Sequence, residues 1–275
     1  MITNSLIIPY TFNDKEIRLF QVRKLLVGEV KAINNRDLKV NHPFVWMGKT
    51  LSLCLEELEG NFIYQEYSQT KRVPKVLMKL PAANIVYILA ASQVYNFSDV
   101  IEGIEFNCRY CQKNNIVSLS LNDIEVPPTA LTSDSLLEVK LPDPYFFTAP
   151  DADKIGMDPN EKWDLFTFRI PLYEDLLALE DYFSVSSSSD FAERLQFRIL
   201  KEVKSSSTGR VMPFDVMGME GPSIFQRLTP RSFREINKRV ADWLPTTSLS
   251  RPVECKTCGR INEVEIDPSF FFLLV

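Results

Sequence analysis

Two stretches carry one pattern: Cys108-Arg109-Tyr110-Cys111-Gln112-Lys113-Asn114-Asn115-Ile116-Val117-Ser118-Leu119 and Cys255-Lys256-Thr257-Cys258-Gly259-Arg260-Ile261-Asn262-Glu263-Val264-Glu265-Ile266. Both obey C-x-x-C-x-x-x-N-x-V-x-[LI] without a gap. Two thiols separated by two residues can face one cation from a tight turn, and the alternating apolar residues behind them read as a strand. A second such turn completes a tetrahedral four-sulfur shell, the design of a zinc ribbon with Zn–S bonds of ~2.3 Å. Cys108, Cys111, Cys255 and Cys258 are therefore the candidate ligands of one structural Zn2+ per chain. Four thiolates close the shell, so no catalysis is expected at the metal. Iron satisfies the same cysteine pattern. Each pair alone also fits a redox dithiol, but a thioredoxin-like site calls for a βαβ setting, and a strand follows each pair here. Cys54, the fifth cysteine, falls on an apolar helical face and reads as a core residue.

The two halves of this ribbon lie far apart, so the middle of the chain becomes an insertion between them. The expected organisation is an α+β region over residues 1–103, a composite ribbon from 104–126 plus 250–275, and a β connector with a helical insertion over 127–249. Upstream, Ser5–Tyr10 and Glu16–Phe20 read as strands around a turn at Asn13-Asp14. Helices are expected over Val22–Asn34 and over Lys49–Leu58, where Leu51, Leu55 and Leu58 fall at i, i+4 and i+7. Pro81 opens another, with Ile85, Val86, Leu89 and Val94 as its apolar side. Pro127–Pro159 is acidic and proline-rich, which forbids continuous helix. Beyond it, three helices are expected: one from Pro171, one carrying Phe191, Leu195, Ile199 and Val203 at four-residue steps, and one from Thr229-Pro230 to Leu244. Ser205–Gly221 has a flexible composition. The expected fold class is α+β: a mainly helical body with a small N-terminal β unit and the split four-cysteine ribbon.

Composition narrows the function. The chain has 275 residues, 45% of them hydrophobic and 24% charged, which excludes wholesale disorder. A single histidine, His42, removes most Ser-His-Asp, Cys-His and His-ligated metal chemistries. Only 9 glycines occur, with no G-x-G-x-x-G, Walker or G-x-S-x-G motif, so phosphate cradles and nucleophile elbows are unsupported. The expectation is a protein without enzymatic activity. No basic and apolar leader opens the sequence and no apolar run approaches ~18–20 residues, so neither a secretory signal nor a membrane span is expected. Five cysteines in such a chain are not a secreted disulfide framework, which points to a reducing compartment.

Two further features bear on partners. Arg231, Arg234 and Lys238 form a basic stripe opposite the apolar face of the last helix, either a solvated face or a grip on an acidic partner or nucleic acid. A net charge of −5 weighs against nucleic acid as the main ligand. Phe270, Phe271 and Phe272 begin an apolar run ending at Val275, suited to the chain's own sheet or to a neighbouring subunit.

Taken in order, the chain shows a strand–turn–strand and helix over Leu6–Asn34 and a helix opened by Leu80-Pro81. The first C-x-x-C with its strand follows, then a proline-flanked β segment over Leu136–Pro142 and several helices. A second C-x-x-C stands shortly before a terminal Phe-Phe. This layout resembles the baseplate hub assembly proteins of contractile-tailed bacteriophages. The resemblance covers most of the chain in outline and is specific around the cysteine pairs and the Phe-rich end. It implies a virus-encoded, non-enzymatic protein of the virion tail, or of the host cytoplasm during assembly, whose partners are other tail and baseplate hub proteins. By this resemblance Cys108, Cys111, Cys255 and Cys258 are metal ligands. The segment Ser184–Pro222 departs from the pattern, which leaves the particular partner open. The alternative reading is a nucleic-acid-binding zinc-ribbon accessory protein.

Overall fold

The computed structural model describes residues 2–121, 129–148, 152, 158–183, 188–213, 223–245 and 250–265. It divides into two compact units. One joins Met1–Ala130 to Pro245–Val275, and the other is the intervening Leu131–Leu244.

The first unit opens with a hairpin, β1 (Ile2–Phe12) and β2 (Lys15–Val22). Asn13 and Asp14 form its two-residue turn at φ 50° and 60°, a left-handed pair that short polar side chains tolerate and that matches the twist of the strands. Strands β3 (Leu55–Leu58) and β4 (Asn61–Phe62) complete an antiparallel sheet of order β1-β2-β3-β4. The sheet buries Ile8, Tyr10, Ile17, Phe20, Val22, Leu55 and Leu58. The β1 register shifts between Ser5 and Tyr10, which removes ladder partners from the backbone there. Asn84, buried on the helix Ala82–Asn96, replaces them: its Oδ1 accepts from Ile7 N (2.9 Å) and Ile8 N (3.0 Å), and its Nδ2 donates to Ile8 O (2.9 Å). One polar side chain thereby satisfies three buried main-chain groups. Past this helix the chain forms β5 (Val100–Asn107) and β6 (Asn114–Ser120), an antiparallel pair separate from the first sheet.

The second unit is built on an antiparallel sheet of order β10-β9-β8-β7, from β7 (Leu136–Tyr145), β8 (Trp163–Arg169), β9 (Leu200–Lys204) and β10 (Val211–Pro213). Alternation along β7 puts Leu137, Val139 and Leu141 inward, where they meet Phe166, Phe168, Leu200, Val203 and Met212. The rings of Tyr145, Phe147 and Trp163 stack edge-to-face at 5.0 and 5.8 Å. The helix Pro230–Trp243 covers this core through Ile236 and Val240. Thr229 caps it, accepting from Ser232 N at 3.2 Å, with Pro230 at the first helical position. Buried Asp175 is gripped by both guanidinium nitrogens of Arg169 (2.7 and 2.8 Å) while accepting from Leu172 N. The chain then returns to the first unit as the antiparallel pair β11 (Ser250–Glu254) and β12 (Ile261–Glu265).

The expectation of a mainly helical body is overturned. Among the described residues helix and strand are near parity, about 39% against 33%, in a mixed α/β arrangement with four separate sheets. The helical row Phe191, Leu195, Ile199, Val203 ends at Ile199, because the helix Ser188–Ile199 runs directly into β9, which holds Val203 against β8. The row Leu51, Leu55, Leu58 breaks likewise: the helix Pro43–Cys54 stops where Leu55–Leu58 pairs with β2. In both places spacing suited to a helix was overridden by pairing with a strand distant in sequence. The connector is in large part β7, the edge of a sheet whose other three strands local patterning did not reveal. Among the described residues, no helix is long and apolar enough to cross a membrane.

Candidate metal centre

Each cysteine pair sits at the tip of a two-stranded hairpin, and the two tips have the same backbone. Cys108 N donates to Lys113 O (3.0 Å) and Gln112 N to Cys108 O (2.8 Å); Cys255 N donates to Arg260 O and Gly259 N to Cys255 O, both at 2.9 Å. The fifth residue of each turn is left-handed, Gln112 at φ 59° and Gly259 at φ 69°. Glycine adopts this conformation freely, whereas Gln112 carries a steric cost of about 1 kcal/mol there. The turn exists to expose amides to sulfur. Tyr110 and Cys111 N–H groups donate to the Cys108 thiolate, as those of Thr257 and Cys258 do to Cys255.

The four sulfur atoms all lie within 4.8 Å of one another. Two approaches cross between hairpins: Cys108 Sγ to Cys258 Sγ and Cys111 Sγ to Cys255 Sγ, each 3.7 Å. A tetrahedral four-thiolate shell with metal–sulfur bonds of ~2.3 Å has sulfur–sulfur edges of ~3.8 Å, so the residues fit a metal ion at their centre. Cys108 and Cys255 are buried, Cys111 is half-buried and Cys258 is exposed.

Electrostatics asks for a cation at the same point. Burial disfavours both the Cys108 and Cys255 thiolates, but the amide donors outweigh it and lower both pKa values, that of Cys255 to about 6. Cys258 receives an amide from Arg260, yet local desolvation beside its neighbours and the three adjoining sulfurs push this otherwise exposed thiol up to about 12. Four thiols this close cannot all ionise unless a positive ion sits among them. Around them the tips are basic: residues 108–114 and 255–261 contain Arg109, Lys113, Lys256 and Arg260 and no acidic residue. The Arg109 and Arg260 guanidiniums lie 4.8 and 4.9 Å from the ring centre of exposed Tyr110.

Two asparagines tie the hairpins to each other. Asn115 Oδ1 accepts from Lys256 N (3.0 Å) and its Nδ2 reaches Cys255 Sγ (3.5 Å). Asn262 does the same in reverse, accepting from Arg109 N (3.0 Å) and reaching Cys108 Sγ (3.5 Å). The repeated asparagine was visible in the sequence pattern, but only coordinates show that each serves the opposite turn.

The structure therefore brings Cys108, Cys111, Cys255 and Cys258 into one cluster that could hold a metal ion. Cys54 is buried in the core with its thiol pushed up to about 12 by burial. Arg231, Arg234 and Lys238 are exposed on the helix Pro230–Trp243 of the other unit and belong to no such cluster. Phe270, Phe271 and Phe272 lie outside the described residues. No family model matches this chain, and no curated protein or solved structure shows significant similarity to it.

Proposed function

We propose that this chain is a non-enzymatic structural or assembly protein of the tail baseplate hub of a contractile-tailed bacteriophage, braced by one structural Zn2+ per chain. The observation that carries the reading is the closed shell of four cysteine sulfurs joining segments 144 residues apart. Sulfur-only ligation at ~3.8 Å edges suits Zn2+, and a full shell supplies mechanical closure rather than an open position for substrate. The order of elements along the sequence supports the baseplate assignment. The partners in this reading are other tail and hub proteins, met in the virion tail or in the host cytoplasm during assembly.

Two measurements test it. Elemental analysis of the purified chain is expected to give one zinc per chain, lost when the cysteines are replaced; iron or no metal refutes the zinc assignment. Affinity capture from a phage-producing lysate, with and without nuclease, is expected to recover tail-hub or tail-tube proteins regardless of nuclease. Recovery of nucleic-acid proteins that vanish with nuclease refutes the baseplate reading in favour of a nucleic-acid-binding ribbon acting through its basic surfaces.

A further inference from the structure

The second unit contains a third turn of the knuckle type, without cysteines. Between β9 and β10 runs Ser205-Ser206-Ser207-Thr208-Gly209-Arg210, whose main chain repeats both knuckles: Ser205 N donates to Arg210 O and Gly209 N to Ser205 O, each at 2.9 Å. Gly209 is left-handed at φ 74°, and Val211 pairs with Lys204 as Ile261 pairs with Glu254. Ser205 and Thr208 stand where Cys255 and Cys258 stand in the second knuckle, and Ser205 is as buried as Cys255, at 1% exposure each. Here the sulfur cluster is replaced by oxygen chemistry. The Thr208 hydroxyl donates to the buried Glu161 carboxylate, which also pairs with Arg210 at 3.2 Å.

One contact is common to the turns with thiols and the turn without them. The amide following the first turn residue donates to a side-chain oxygen from the facing segment in all three turns: Arg109 to Asn262 (3.0 Å), Lys256 to Asn115 (3.0 Å) and Ser206 to Asp164 (2.9 Å). The same contact therefore forms without any metal, here in a turn that the β8–β9 ladder also holds in place. The residue types differ for a chemical reason. At the cysteine turns the clamp must also present an N–H to a thiolate, which an amide does and a carboxylate cannot. A carboxylate would further add negative charge beside four thiolates. At the third turn there is no sulfur, and Asp164 instead takes a second bond from the Ser206 hydroxyl at 2.5 Å.

We propose that Asn115 and Asn262 are positioning residues of the metal centre, each clamping the opposite knuckle so that the four-sulfur site is assembled before a metal enters. This rests on the metal reading above. Without metal the two hairpins stay docked through the asparagines; with metal, the same amides hold Cys255 and Cys108 in ligating orientation.

The test compares the full-length chain with Asn115→Ala, Asn115→Asp, Asn262→Ala and Asn262→Asp, using Co2+ as the probe. Each variant is expected to lose about 10–100-fold in Co2+ affinity and to shift the thiolate-to-metal absorption band. Hydrogen exchange on chelated protein separates docking from ligation. The Lys256 amide is expected to remain protected in the chelated wild type and in Asn115→Asp, and to lose protection in Asn115→Ala, while the Ser206 amide of the second unit stays protected throughout. Should Asn115→Ala not fold, Asn115→Asp decides alone, since it keeps the clamping oxygen while removing the amide N–H groups to Cys255 Sγ and Lys113 O and placing a negative charge beside the thiolates. Wild-type Co2+ affinity and an unshifted band in the asparagine variants overturn the positioning role and leave the metal reading standing. So does loss of Lys256 and Arg109 protection in the chelated wild type, because the metal would then do the docking. A wild-type chain that takes up no Co2+ refutes the metal reading and the positioning role with it.

Discussion

Removing one ligand from each knuckle, as in Cys108→Ser/Cys255→Ser, is expected to destabilise the first unit far more than a pair of buried thiol-to-hydroxyl changes would. A metal held by the four cysteines would close a loop whose ends, Cys108 and Cys258, are 150 residues apart. Taken as free chain, such a cross-link restrains the unfolded state by about 5 kcal/mol in the loop-entropy account. The enclosed Leu131–Leu244 is itself a compact unit, however, and shortens the flexible path between the knuckles to about 30 residues, for which the same account gives about 3.5 kcal/mol. The difference is small because closure entropy grows only with the logarithm of length. At about 2–4 °C per kcal/mol for a unit of this size, the melting point of the first unit should fall by roughly 7–20 °C. Differential scanning calorimetry should resolve it, with hydrogen exchange at β1–β3 amides reporting the first unit and those of β8 and β9 the second. A first unit that melts at the wild-type temperature refutes the shared site. Equal destabilisation of both units refutes the confinement of its effect to the first.

Asn84→Ala should lower stability by about 3 kcal/mol, since Ile7 N, Ile8 N and Ile8 O are left buried without partners; urea unfolding measures it, and a loss below about 1 kcal/mol contradicts the role given to the β1 irregularity. Asp175→Ala strands Arg169 beside a buried cavity and should cost the second unit about 3 kcal/mol, leaving exchange at β1–β3 unchanged. Burial raises the Asp164 pKa, but its bonds from the Ser206 hydroxyl and amide and the nearby Lys140 charge outweigh that and lower it overall. A lowered folded-state pKa means stability that is present above the ordinary carboxylate range near ~3.9 and lost as pH falls through the lower folded value. Ser206 amide protection should therefore decline only in strong acid, and Asp164→Asn should abolish that pH dependence. Thr229→Ala should cost about 1 kcal/mol and Thr229→Ser much less, read by urea denaturation of the second unit.

The metal centre was legible because its chemistry dictates spacing. Two thiols two residues apart in one tight turn can face a single ion, and a duplicated strand behind Cys111 and Cys258 made coincidence a poor account. The sheets were less legible where partners are distant. Leu51, Leu55 and Leu58 satisfy a helical period as well as the strand they partly enter, and only β2 decides between them. Val203 and Ile199 are four apart, yet one ends a helix and the other sits in a strand beside Phe166. Trp163–Arg169 has the aromatic and threonine content of a strand, but it falls between the connector over Pro127–Pro159 and the helix expected from Pro171, and local patterning assigns no element to it. The third turn was hidden for a different reason: a search keyed to sulfur cannot find a turn that carries Ser205 and Thr208 at the cysteine positions. Its backbone is retained by Gly209, by the edge-strand pairing and by Asp164.

Placing a whole compact unit between the two knuckles also imposes an order on synthesis. A ribosome adding 5–20 residues per second needs roughly 7–30 s to pass from Cys111 to Cys255, a gap of 144 residues. During that interval Cys108 and Cys111 have emerged with no counterpart, and Asn115 has no turn to clamp. The second unit can fold to completion in this time, whereas the first must wait, its two thiols exposed to oxidation or to premature capture of a metal by a half-site. The sensitivity of these thiols to oxidation is thus greatest while one knuckle stands alone, and it falls once the second knuckle has left the ribosome and can join the cluster.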